Sequence, residues 1–293
     1  MKKLEHIHVL IEEVLSSVPK NDAGHLLDVT AGGGGHFFSI LKSHKNWRGE
    51  CWDQDPLAHE RISKQSREQK ISNSWSFKSQ RFGDGPANAN IKFDYILADI
   101  GISSFQIDDI ARGMSLFSSQ KIDFRMNPTV GLDFWTWIKQ KTQNELEEIL
   151  EIYGDEPKAK KLAEYLFKLK VDPNLSAAEF AVHLKRVLSY GSASRTHPAT
   201  RAFQALRIAI NDEIGELKKL LTWAPNFLNP GGRLAIISFH STEDRLVKKA
   251  FQDLADDQGF VILTKKPLVP TAAEEGRNPR SRSAKLRVLE KKG

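Results

Sequence analysis

Cysteine is almost missing from this chain: among 293 residues there is one, Cys51. A single thiol forms no intrachain disulfide and no cysteine-based zinc site. Long apolar runs are missing too, and nothing approaches the ~20 residues that cross a bilayer. The start, Met1-Lys2-Lys3-Leu4-Glu5-His6, lacks the apolar stretch and small-residue cleavage site of a signal peptide. These absences predict a soluble, cytoplasmic chain with no membrane partner. His6 and His8 have no acidic residue at ligand spacing, so no metal is assigned. Internal repeats and low-complexity segments are absent as well.

What is present is a moderate excess of basic residues, with a formal net charge of +6. That balance suits a polyanion, because each Lys or Arg that meets a phosphate releases a counterion. It suits an ordinary basic enzyme equally well.

Short strand patterns alternate with helical ones from the N-terminus. Residues 24–29 read as a strand running into Gly32-Gly33-Gly34-Gly35, with a helix through Phe37, Phe38, Ile40 and Leu41. Residues 49–52, ending at Asp53, 75–78, and 94–98, ending at Asp99, supply further strands. This rhythm predicts an α/β fold, a parallel sheet with helices on both faces. After residue 105 the pattern turns helical. Thr142-x-x-Glu145 and Ser176-x-x-Glu179 are capping boxes, the first opening a helix that stops near Gly154. The spacing of Phe203, Leu206, Ile210, Ile214, Leu217 and Leu221 predicts one helical face. Asn229-Pro230-Gly231-Gly232 reads as a turn before a strand over 233–239. Ser241-x-x-Asp244 is a weak cap, 261–264 and 286–289 are the last strands, and 267–282 is a surface loop. The expected division is a core of 1–105 with 201–293, carrying a helical insert, 106–200.

Asp28-Val29-Thr30-Ala31-Gly32-Gly33-Gly34-Gly35-His36 has the form acidic-x-x-x-Gly-x-Gly at a strand end, where glycine lets a ligand approach the backbone. The third glycine of a dinucleotide fingerprint is lacking, since Phe37 or Phe38 stands there, which weakens a nicotinamide reading. An acidic residue before the glycines suits a cationic amino-acid or sulfonium group better than a pyrophosphate. Asp53, about 20 residues on, is placed to accept from ribose hydroxyls, with Asp55 as its near competitor. Asp99 lies at the carboxyl edge of the fourth strand. A carboxylate there localises the lone pair of an exocyclic amine and takes its proton, caps a turn, or touches the cofactor. Phe105 is placed either to stack on an extruded base or to pack. Segments carrying Arg112, Arg125, His197 and Arg201 at the two ends of the insert are too polar for ordinary core strands. His240 is as suited to a structural role as to a catalytic one. Arg277, Arg280 and Arg282 share a loop that fits phosphates or plain solvent.

Together these segments resemble the bacterial 16S ribosomal RNA cytosine-N4 methyltransferase family, nearly end to end. The resemblance runs through His8-Val9-Leu10, Asp28 to His36, Asp53-Gln54-Asp55-Pro56, Asp99 to Gln106, and Asp123-Phe124-Arg125-Met126. It continues in His197-Pro198-Ala199-Thr200-Arg201, Asn211-Asp212-Glu213, Ile237-Ser238-Phe239-His240-Ser241 and Asn278 to Arg287. It implies a Rossmann-like class I methyltransferase core with an inserted helical domain for substrate RNA. It also implies S-adenosyl-L-methionine as cofactor, and methylation of a cytidine N4 in the decoding region of 16S rRNA, within the small ribosomal subunit. A homodimer is compatible with it. Carried over by position, the cofactor contacts fall on Gly34, Gly35, His36, Asp53, Phe82, Asp99 and Gln106. Phe105 stands where the family usually has proline, and Ala98 where it has leucine.

Overall fold

Apolar pairs such as Leu26-Leu27 and Ile96-Leu97 are buried on both faces of a sheet, which is why they read as continuous runs rather than alternating ones. A computed structural model describes residues 8–169, 174–188, 197–257 and 259–293. The chain begins with α1 (Ile11–Ser17), β1 (His25–Asp28), α2 (Gly35–Ser43), β2 (Arg48–Asp53), α3 (Ala58–Glu68), β3 (Trp75–Ser79) and β4 (Phe93–Asp99). There follow α4 (Ser104–Asp108), α5 (Phe134–Lys139), α6 (Gln143–Gly154), α7 (Ala159–Lys168), α8 (Ala177–Leu188) and α9 (Thr200–Ile210). Last come α10 (Glu213–Trp223), β5 (Leu228–Ser238), α11 (Ser241–Asp256), β6 (Phe260–Ile262), α12 (Ala272–Arg277) and β7 (Lys285–Lys291). No described helix is long and apolar enough to cross a membrane.

Two compact units result, the first running to Gly101 and resuming at Gly215, the second spanning Ile102–Ile214. In the first, all seven strands form one sheet in the order β3-β2-β1-β4-β5-β7-β6. β1 to β5 pair in parallel, but β7 runs antiparallel to both β5 and β6. The parallel sheet expected from the strand–helix rhythm thus runs through β1 to β5 and is completed at this edge by β7 as an antiparallel strand. Helices α1 to α3 bury Val14, Phe37, Phe38, Leu41 and Ile62 on one face. Leu217 and Leu220 of α10 and Val247 and Phe251 of α11 cover the other. The strand order reverses between β1 and β4, and β1, β2 and β4 end there in Asp28, Asp53 and Asp99. Open α/β sheets bind ligands at such a switch point.

The second unit has a core of its own, in which Phe124, Phe134, Phe180 and Phe203 meet edge-on or tilted at 5.0–5.7 Å. Its helices start where the sequence indicates. Thr142 and Glu145 form a reciprocal capping box, and Ser176 and Glu179 exchange the equivalent bonds. The single helical face expected over 203–221 is instead two helices, because Asp212 takes a left-handed φ of 51° and ends α9. Three smaller corrections follow. The 229–232 turn lies within the span of β5, α12 occupies part of the expected 267–282 loop, and the residue capping α11 is His240 rather than Ser241.

Candidate active site

The glycine loop is shaped by what it touches. Gly34 has φ +84°, and a Cβ there would lie 2.7 Å from the ring of fully buried Phe38. A Cβ on Gly35 would overlap the His8 imidazole at 1.8 Å. Both positions therefore exclude a side chain, and Gly35 opens α2 directly after Gly34. The loop is pinned to β2: Asp53 Oδ2 accepts from Gly32 N at 2.7 Å, and its Oδ1 accepts from Asp55 N at 2.8 Å. Asp55, the competitor for the ribose role, is 1% exposed and paired with Arg61 at 2.8 Å. That engagement marks it as structural.

Thr30 links the two other strand ends. Its N–H donates to Asp28 Oδ1 at 3.0 Å, and its hydroxyl oxygen accepts from Asp99 N at 2.6 Å. His36, the second residue of α2, has Nε2 2.8 Å from the Val9 carbonyl. A carbonyl only accepts, so Nε2 carries the hydrogen. The other ring nitrogen, Nδ1, stands 3.7 Å from Asp99 Oδ2. Asp99 Oδ1 is shut away from solvent with no hydrogen-bond partner among the described residues, although 26% of the side chain remains open. Such an orphaned oxygen is uncommon in a folded protein and marks a place where a donor belongs.

The three carboxyls at adjacent strand ends are all raised, by burial first and by neighbouring negative charges second. Burial, then the Asp28 and Glu243 charges, pushes Asp99 up to about 8. Burial pushes Asp28 up to about 7 against the Thr30 N–H, with the Asp53 charge adding to the rise. Asp53 is also raised by burial, which outweighs its two backbone donors. Carboxyls held this high at one sheet edge are a functional-site signature, and they are suited to a cationic ligand, which would return them to the charged form.

The MraW methylase family matches residues 3–292 of the chain. The chain belongs to this family of methylases. The methylase is 40% identical to ribosomal RNA small subunit methyltransferase H of a Synechococcus species, over 98% of this chain and 92% of that protein. The same-named protein of Wolinella succinogenes is 39% identical over 97% of this chain and 98% of its own length. That of Prochlorococcus marinus is 39% identical over 99% and 95%. The first unit of the methylase, with its single antiparallel strand, is thus a Rossmann-like class I methyltransferase core.

The remaining sequence-derived residues fall in both units. Phe82, after β3, is 7% exposed in the core, and its carbonyl accepts from Trp223 Nε1 at 3.0 Å. In the second unit of the methylase, Gln106 is 4% exposed and closes a capping box with Ser103. Its Nε2 also reaches the Met126 carbonyl, as does Arg112. Arg125 is held against Asp123 by bonds of 2.7–3.1 Å, which keep its guanidinium firmly protonated. Arg201 donates to the Asp155 carbonyl at 3.1 Å. His197 accepts from Ala199 N at 3.2 Å, and burial and Lys185 push its pKa down. Each arginine flanking the insert is therefore engaged within the chain itself. His240 caps α11 through the Glu243 N–H at 3.4 Å and sits 2.8 Å from the Glu243 carboxylate. Arg280 and Arg282 are exposed on a short turn around fully buried Ser281. His6 lies outside the described residues, and no metal-holding group of His, Cys, Asp or Glu occurs among the described ones.

Two contributors escape a reading of the sequence alone. Thr30 is an unremarkable letter inside the loop, and its bridging role depends on β1 and β4 being neighbours. Glu243, 1% exposed, accepts from Phe239 N at 2.9 Å and adds negative charge near Asp99. It is one turn into a helix, so only the packing of α11 reveals it.

Proposed function

We propose that the chain methylates the N4 amino group of a cytidine in the decoding region of 16S rRNA, using S-adenosyl-L-methionine, in the cytoplasm and on RNA of the small ribosomal subunit. The observation that carries the reading is Asp99: a carboxyl at the switch point with a buried oxygen that has no hydrogen-bond partner among the described residues. The bound cofactor supplies an electrophilic methyl group on a cationic sulfur. The residues present fit such a group. Gly34 and Gly35 leave the backbone bare, Asp53 at the end of β2 would accept from the ribose hydroxyls, and Asp28 and Asp99 provide the negative surroundings that a sulfonium favours. His36, Phe82 and Gln106 complete the set of cofactor contacts.

The amine of cytosine is a weak nucleophile because its lone pair is delocalised into the ring. Asp99 accepts one N–H of that amine, which localises the lone pair on nitrogen. As the amine nitrogen takes the methyl, the methyl's bond to the cofactor sulfur would break and leave a neutral thioether, while the N–H bond breaks and the carboxylate holds the proton. A positioned base of this kind is worth roughly 10²–10⁴-fold in rate, and alignment of the two reactants adds to it. The base must be unpaired and unstacked to reach the carboxyl edge. Arg112, Arg125, His197, Arg201, His240, Arg280 and Arg282 then divide into residues that shape the RNA-facing segments and, for the exposed Arg280 and Arg282, direct phosphate contacts.

The test uses tritiated S-adenosylmethionine and small subunits that lack the modification. Wild type should place label in N4-methylcytidine, and Asp99→Ala should lower the rate about 10²–10⁴-fold. Cofactor binding without any labelled cytidine from wild type would overturn the substrate assignment.

A further inference from the structure

Basic and acidic residues balance over positions 1–259, so the net charge of +6 belongs to residues 260–293, where nine Lys and Arg meet three Glu. That segment holds β6, α12 and β7, and β6 is the outermost strand of the sheet. The excess charge is therefore gathered in the C-terminal segment, of which β6 and β7 form one end of the sheet. Beside it lies a cleft of about 200 Å³ lined by Lys248, Phe251, Gln252, Ile262, Lys265 and Arg287. Its cations come from three segments: α11, the turn after β6, and β7.

The three are not equivalent. Arg287 is 7% exposed, with Nε 2.7 Å from Asp244 Oδ1 and Nη2 3.3 Å from Oδ2. That two-point hold fixes the plane of the guanidinium and leaves Nη1 uncommitted. Asp244 also takes Lys285 at 3.1 Å, so its one negative charge is shared between two cations. Lys248 and Lys265 have no ion-pair or hydrogen-bond partner among the described residues, whereas the adjacent Lys249 is paired with Asp253. Phe251 and Ile262 give the cleft an apolar floor. The cleft thus combines a pre-set guanidinium, two unspent ammonium groups and a volume suited to one tetrahedral anion. The Nη1 donors left over from the Asp244 pair are held in a fixed direction for a phosphate oxygen, and the two lysines serve as point charges for it.

We infer that this cleft holds a backbone phosphate of the RNA substrate, anchoring the strand to the core unit through Lys248, Lys265 and Arg287. The inference rests on the rRNA reading above, but on none of the carboxylate-site residues. It places the sequence-independent part of RNA affinity on the β6–β7 edge.

The experiment compares wild type, a Lys248→Ala/Lys265→Ala double variant and a control Lys42→Ala/Lys45→Ala pair, whose lysines are exposed elsewhere on the same unit. Affinity for a labelled single-stranded rRNA fragment is measured across a salt series. The double variant should bind about tenfold more weakly at ~0.1 M salt, with a slope of log K against log salt shallower by about 1.4, the loss of two phosphate contacts. Its S-adenosylmethionine affinity and melting temperature should match wild type, and the control pair should bind RNA as wild type does. Unchanged RNA affinity and slope in the double variant would overturn the inference, as would an equal loss in the control pair. If inorganic phosphate stabilises wild type but not the double variant while RNA affinity is equal, the cleft takes a free anion and the RNA assignment fails. Loss of RNA binding in the double variant, with no N4-methylcytidine made by wild type, would keep the cleft and sink the base specificity. The converse, methylation intact and RNA binding indifferent to both lysines, would do the reverse.

Discussion

Asp99 faces Asp28 and Glu243 with only His36 near enough to offset them, and its carboxyl is pushed up to about 8. At neutral pH the unliganded protein therefore holds mostly the protonated acid, and a sulfonium ligand gains from its ionisation. S-adenosylhomocysteine differs by the loss of that positive charge and keeps the amino-acid and nucleoside ends. The affinity ratio of the methyl donor to its product should therefore rise from pH 6 to about 8 and level off above it. Calorimetric titration of both ligands across that range measures it. Asp99→Asn should flatten the ratio, and a ratio independent of pH in wild type would remove the carboxyl from contact with the sulfonium. Gly34 invites a second test at this scale. Alanine there suffers a left-handed φ, worth about 1–2 kcal/mol, and an overlap with Phe38, whose ring is wedged against Phe37 and Trp75. Gly34→Ala should lose at least that much stability in urea denaturation, together with cofactor affinity; a silent variant would show that the loop is free to move.

At the scale of elements, local signals were readable where the chemistry is local. The Thr142–Glu145 box is two side chains satisfying two backbone groups within one turn, and nothing distant is needed to find it. Thr142→Ala should accordingly cost about 1 kcal/mol of stability in denaturant titration while leaving methyl transfer unaltered, and a loss of activity without a loss of stability would contradict a purely structural cap. The break between α9 and α10 was not readable, because the apolar spacing runs on across Asp212 and nothing in an aspartate announces a left-handed φ. The antiparallel direction of β7 was hidden for a different reason. Strand patterns carry no sign of direction, and the 267–282 link contains turn residues that also spell out a short helix. That helix serves as a tie. Its Glu274 is 8% exposed and accepts from Leu10 N at 2.8 Å, joining α12 to the segment whose Val9 carbonyl holds His36. A loop rich in Pro, Gly and Arg gives no hint of a contact 264 residues away.

Over the whole molecule, the carboxyls were legible as letters and their coupling was not. Asp28, Asp53 and Asp99 stand at three strand ends far apart in sequence, and only the β2-β1-β4 order brings their charges together. That gathering has a thermodynamic signature. The folded pKa values of Asp28 and Asp99 lie near 7 and 8, above the ordinary value of 3.8. For a carboxyl raised on folding, the unfolded chain releases its proton first. The stability tied to these groups is thus fully present below about pH 4 and is lost as pH rises through 7 to 8. The melting temperature of the unliganded protein should fall across that window, and Asp28→Asn and Asp99→Asn should each remove part of the fall. At pH 9 each variant should melt above wild type, by about 2–4 °C per kcal/mol of relieved burial, and at pH 4 the difference should close. Scanning calorimetry at pH 4, 6, 8 and 9 decides the matter. Variants that track wild type at every pH would mean that the two carboxyls already ionise freely in the fold, and the case for a site held ready for a cation would go with them.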